Sequence, residues 1–291
     1  MSHFETPKPI SVVLELRLAD VRVAAAERAD TIVQVRPSDK TRRDDVTAAE
    51  QTRVEYGDGR LLVKAPRRLR EWSPFNDVGS IDVDIELPAG SDLSGHTATG
   101  EFRCTGSLGP CELKSGAGEL SVEQAARVKL TTAGEIRLER VAGDAELVTA
   151  IGDVRAGEIV GSALIKNSNG DTRVGEIGGD LRVKAANGDI DVERSHGSVS
   201  AKTANGHIRV GAIDRGSLVA ETAAGHIEIG IAGGVAAWLD LDTSYGNVRN
   251  GLDAAEGPGS ADEQVEVRAR TGFGDITICR AAQRSDELIS G

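Results

Sequence analysis

The sequence predicts an all-β chain wound as a parallel β-helix, or β-solenoid, with coils of about 18 residues and an irregular β N-terminal cap. Three observations predict it. A Gly-polar-apolar-x-apolar motif returns at near-constant spacing, apolar and polar residues alternate after each of its glycines, and aromatic residues are scarce.

The motif reads GEFRC from Gly100, GELSV from Gly118, GEIRL from Gly134, GDVRA from Gly152 and GDTRV from Gly170. It continues as GDIDV from Gly188, GHIRV from Gly206, GHIEI from Gly225, GNVRN from Gly246 and GDITI from Gly274. Successive starts lie 18, 16, 18, 18, 18, 18, 19, 21 and 28 residues apart, and four equal steps in a row do not arise by chance. In the coil from Gly170, Thr172, Val174 and Ile177 form one inward set; Leu181, Val183 and Ala185 form a second after Gly179. A period of two marks two short strands per coil. The links between them are too short for a crossover helix, so strands one coil apart must stack as parallel neighbours. Phe, Trp and Tyr number only 4, 2 and 2, so Val, Ile, Leu, Ala and Thr must fill a thin, layered interior.

Residues 1–98 show strands without the strict period, in SVVLELRLADVRVAA, TIVQVRP, GRLLVKAP and SIDVDIELPAG, and read as a cap continuous with the solenoid. Within them, Asp20–Val23 resembles a degenerate rung, while Pro37–Glu50 and Arg67–Asn76, the latter with Trp72 and Phe75, read as insertions. Residues 99–280 form the solenoid proper, taken in sequence order, and 281–291 a frayed polar tail.

Residues one coil apart form columns. Asn169, Asn187 and Asn205 precede successive glycines and predict a ladder of amide hydrogen bonds. Glu101, Glu119, Glu135, Asp153, Asp171 and Asp189 follow the glycines, then His207 and His226. Two positions on stand Arg103, Arg137, Arg155, Arg173 and Arg209, which predict an ion-pair lattice and compete with any cation for the carboxylates. Lys114, Lys166, Lys184 and Lys202 form a basic column on the second sheet.

The formal charge of −12 argues against nucleic acid and against anionic membrane surfaces as partners. The N-terminus alternates charged and apolar residues, without the uninterrupted apolar run of a leader, and the three cysteines make no disulfide framework; a cytoplasmic location is expected. Cys104 and Cys111 both fall inward and read as buried free thiols. Ser195-His196 is adjacency, not a triad, and Ser195 takes the inward position held by Ile177 one coil earlier. Neither a GxSxG elbow, an HExxH pair nor a phosphate-binding loop occurs. No catalytic residue, metal site or cofactor is therefore assigned.

Towards the C-terminus the coils lengthen, Asp253–Gln264 is rich in Gly, Asp and Glu, and Trp238, Tyr245 and Phe273 gather. Tyr245 and Phe273 share the pre-glycine column and should stack. With Arg249 and Arg270 they make the candidate interaction residues, because aromatic and Arg side chains dominate interface anchors. An aromatic cap over the interior is the competing use.

With the coils laid out, VVLELRLADVRVAA, IDVDIELPAGSDLSG, NGDIDV and FGDITI resemble the adhesin-like domain of unknown function DUF4097 over roughly residues 8–280. The resemblance implies a right-handed, pectin-lyase-like β-helix without an assigned activity, and supplies no functional residues. The reading is a non-catalytic scaffold or protein-interaction module with a protein partner, as a monomer or an edge-mediated homo-oligomer. A carbohydrate-binding or carbohydrate-active β-helix is the alternative.

Overall fold

A computed structural model of the chain describes residues 1–66, 79–252 and 264–281. The insertion with Trp72 and Phe75, most of Asp253–Gln264 and nearly all of the polar tail lie outside the described residues. The chain divides into two compact units, Met1–Ile159 and Val160–Gly291.

The first unit holds β1 (Ser2–Glu5), β2 (Ser11–Glu15), β3 (Ala19–Ala26), β4 (Asp30–Pro37), α1 (Arg43–Gln51), β5 (Arg53–Gly57), β6 (Arg60–Lys64) and β7 (Ile81–Pro88). It continues with β8 (Asp92–Thr97), β9 (Phe102–Ser115), β10 (Leu120–Thr132), β11 (Ile136–Val141), β12 (Ala145–Ile151) and β13 (Val154–Ile159). Parallel stacking puts Phe102, Leu120, Ile136 and Val154 in one inward column, each at most 1% exposed. Parallel pairing begins well before residue 98, with β3 between β7 and β9 and β2 between β6 and β8. The degenerate rung at Asp20–Val23 is real: Val21 lies beside Phe102, and Asp20 Oδ1 accepts the Glu101 N–H at 3.0 Å. Antiparallel strands close this stack, β4 on β7, β1 on β4 and β5 on β6, and the Phe4 and Tyr56 rings meet at 5.2 Å.

The insertion expected at Pro37–Glu50 carries the helix α1. Asp44 and Asp45 occupy its first turn, where free N–H groups favour carboxylates. Asp45 is buried and accepts the Asp39 and Ser80 N–H groups at 3.1 and 3.0 Å, which ties the helix to the start of β7.

The second unit holds β14 (Ala163–Asn169), β15 (Thr172–Ile177), β16 (Leu181–Asn187), β17 (Ile190–Ser195), β18 (Val199–Asn205) and β19 (Ile208–Ile213). After them come β20 (Gly216–Ala224), β21 (Ile227–Ile231), β22 (Ala236–Tyr245), β23 (Val248–Asn250), β24 (Gln264–Phe273) and β25 (Ile276–Arg280). The 18-residue register holds: Ile165 pairs with Val183 and Val183 with Ala201, all fully buried. Val174, Val192 and Val210 stack likewise on the other sheet. The motif glycines make the close approach that this stacking requires. Gly206 has φ +148°, and a Cβ there would lie 2.0 Å from the Gly188 carbonyl oxygen.

One expectation is corrected. The coils do not follow sequence order at the end of the second unit, because β24 pairs with β20 on one side and β22 on the other, and β25 lies likewise between β21 and β23. The spatial order of the glycines is Gly225, Gly274, Gly246. Charge gives a physical reason. Arg270 lies between Glu221 and Asp242, whereas direct stacking of β22 on β20 would set two carboxylates side by side.

Candidate functional site

Inserting β24 leaves β22 and β23 as the outermost coil of the second unit, and among the described residues each pairs on one edge only. The inward positions show the consequence. Val267 and Ala269 in β24 are fully buried, while Leu239 and Leu241 beside them in β22 are partly open and Val248 is 45% exposed.

The sequence-predicted residues all lie on β22, β23 and β24, in two groups. Tyr245 and Phe273 stack at 4.9 Å with an interplanar angle of 5°. Trp238 is seven residues from Tyr245 along the same strand, roughly 23 Å away, so the three rings form no single cluster. They are 58% (Trp238), 69% (Tyr245) and 61% (Phe273) exposed, so most of each side chain faces away from the interior. Arg270 reaches Asp240 at 3.6 Å and Arg249 reaches Asp275 at 3.5 Å. Hydrogen bonding from the Asn247 backbone, with help from Arg249 nearby, holds the Asp275 carboxyl below the usual carboxylate range.

The columns do more than the sequence reading assigned to them. The Asn ladder is present: Asn187 Nδ2 donates to Asn169 Oδ1 and Asn205 Nδ2 to Asn187 Oδ1, both at 2.9 Å. The column after the glycine, however, serves the backbone first. Asp171 accepts the Asp189 N–H at 3.1 Å, Asp189 the His207 N–H at 2.7 Å, and His207 Nδ1 the His226 N–H at 2.9 Å. His226 Nδ1 accepts the Asp275 N–H at 2.8 Å, and Asp275 the Asn247 N–H at 2.9 Å. Asp, His and Asn interchange here because each presents a short-range acceptor, which was the signal available in the sequence. Carboxylates of the same column also meet the arginines, as in Arg137 with Glu119 and Glu135, Arg155 with Asp153 and Glu135, and Arg173 with Asp171. On the second sheet the basic column changes sign, with Lys202 Nζ 2.7 Å from Glu221.

A further column was missed. An inward hydroxyl just before the glycine donates to the glycine carbonyl of the neighbouring coil, as in Thr132 to Gly118, Thr149 to Gly134, Thr222 to Gly206 and Thr271 to Gly225. These bonds satisfy acceptors that the turn would otherwise bury unpaired.

Ser195 is fully buried and its hydroxyl donates to the Gly197 carbonyl at 3.0 Å, so it fills the interior as expected. His196 instead bridges two coils: Nδ1 lies 2.5 Å from Asp214 and Nε2 2.9 Å from Glu176. Burial disfavours its charge, but the two carboxylate hydrogen bonds outweigh it and raise the imidazole pKa. Cys104 and Cys111 are buried free thiols. Among the described residues no group of three or more His, Cys, Asp or Glu side chains is arranged to hold a metal ion.

Solved structures similar to this chain include an adhesin candidate from Parabacteroides merdae ATCC 43184 (11% identity, 95% of this chain and 94% of that one, TM-score 0.43). Another is an adhesin candidate from Bacteroides fragilis NCTC 9343 (10% identity, 95% of each chain, TM-score 0.39). A third is described as a candidate lipid binding protein from Parabacteroides distasonis ATCC 8503 (11% identity, 94% and 95% covered, TM-score 0.33). No curated protein matches the chain. The model of the Toastrack DUF4097 family matches residues 11–279, nearly the whole chain, and this protein belongs to that family.

Proposed function

We propose that the chain is a non-catalytic interaction module that engages a protein partner through the outermost coil of its second unit. One observation carries this reading: Trp238 and Tyr245 stand 58% and 69% exposed on that coil, beside partly open inward leucines, and Phe273 of the adjoining β24 is 61% exposed under Tyr245. Such a surface favours a partner that covers it. The regular coils repeat nearly the same charged surface at each step, which suits solubility better than a single docking point. A photo-crosslinking residue at position 245, compared with one at position 155 on the charged sheet, tests it in native lysate. A discrete adduct from 245 alone is expected; an adduct from 155 alone would move the site to the charged sheet.

Carbohydrate binding is the second reading, favoured by the stacked, exposed rings of Tyr245 and Phe273, which suit a sugar face. Retarded migration in gels containing polysaccharides, abolished by Tyr245→Ser, would support it over the protein partner.

A further inference from the structure

Resting on that proposed interaction end, we infer that docking occurs by strand addition: an extended segment of the partner joins the edge of β22 that is unpaired among the described residues, with Lys or Arg facing Asp242. Alternate N–H and C=O groups of a parallel strand point to each side, so the side of β22 away from β24 offers a row of donors and acceptors. The strand lacks the Lys, Pro or bulge that commonly blunts such edges.

Charge selects the occupant. The outward column runs Lys202, Glu221, Arg270, Asp242, with neighbours in register and signs alternating at every step. Asp242 ends it, exposed and without an ion pair among the described residues. A basic side chain continues the alternation. The ladder after the glycines also ends on this coil, at Asn247, which gives its N–H and its side-chain amide to Asp275 and receives no N–H from a further coil among the described residues. A second copy fits less well, because antiparallel self-pairing of β22 sets the Asp240 and Asp242 rows against each other.

The probe is a fluorescent synthetic peptide copying residues 264–273, QVEVRARTGF, whose Arg268 and Arg270 stand where a basic strand is required. It is titrated into the full chain beside a version carrying Arg268→Glu and Arg270→Glu. Saturable binding is expected, about tenfold weaker for the charge-reversed peptide, with Asp242→Lys in the protein inverting that preference. Equal affinities, or no binding by either peptide at millimolar concentration, would overturn the inference. So would binding that frees β24 to exchange its amide hydrogens, binding seen only after residues 282–291 are removed, or a dimer that Asp242→Lys dissociates. A crosslinked partner at position 245 with no peptide binding would sink strand addition and leave the interaction end standing.

Discussion

The hydroxyl column lacks a hydroxyl at two successive coils, 167 and 185, and the break yields a sharp prediction. Position 185 is Ala where the flanking coils carry Asn167 and Thr203. Thr203 serves the Gly188 carbonyl, and by the same geometry a hydroxyl at 185 would serve Gly170. Instead the longer Asn167 side chain reaches forward, and its Nδ2 donates to the Gly170 oxygen at 2.9 Å. Asn167→Thr shortens that reach and should cost about 1–2 kcal/mol, the range for a buried carbonyl losing its donor. Ala185→Thr alone should be close to neutral, because that oxygen already has its bond. Together the two restore the pattern of the other coils, so the double variant should recover about 1 kcal/mol of the single loss. Urea unfolding followed by circular dichroism reads all four proteins, and the cycle cancels any other contact that Asn167 makes. Additivity within about 0.3 kcal/mol would show that Asn167 is not a substitute for the missing hydroxyl.

Three further outcomes follow from the same structure. Val183→Asp should unfold the second unit, because Val183 is fully buried and an unpaired carboxylate there is costly, while Lys184→Asp should be tolerated; similar melting temperatures would mean the register is wrong. Gly206→Ala should destabilise by several kcal/mol, combining positive φ with a rigid clash on the Gly188 carbonyl, whereas Gly234→Ala, with φ +80° and nothing within 4 Å, should cost only about 1–2 kcal/mol; equal losses in urea would remove the close-packing account of the motif glycines. His196 is held more basic in the folded chain, so its contribution is full below the unfolded imidazole range near pH 6.5 and is lost as pH rises through the folded value. The melting-temperature gap between wild type and His196→Ala should therefore be wider at pH 5.5 than at pH 9, and a gap independent of pH would refute the clamp.

Much of the fold was legible because a solenoid writes its register in sequence. Four equal steps fixed which residues stack, and the inward positions Val174, Val183 and Val192 could be named from alternation alone. The Asn ladder and the Tyr245–Phe273 stack followed from the same columns. What escaped were contacts that depend on direction rather than position. The carboxylates after the glycines looked like ion-pair partners because side-chain charge is visible in a sequence, while the N–H groups they accept are not. The order of the last coils escaped for another reason. Sequence adjacency suggests spatial adjacency, yet spacings of 21 and 28 residues left enough chain to pass one coil by. The clue was the sign of the side chains, since Glu221 and Asp242 call for Arg270 between them. As for the candidate site, its residues were picked for residue type and their gathering in sequence, and Trp238 was grouped with rings that it does not touch.

The central claim, that β22 and not β24 is the outer strand of the second unit among the described residues, is tested most directly by native-state amide hydrogen exchange on peptides from that unit. If β24 is enclosed, the amides of Gln264–Phe273 should be protected as strongly as those of Val199–Asn205. In Ala236–Tyr245 roughly half of the amides, those pointing away from β24, should exchange orders of magnitude faster. Full protection along β22, or a least-protected strand at β24 as plain sequence-order stacking requires, would contradict the account.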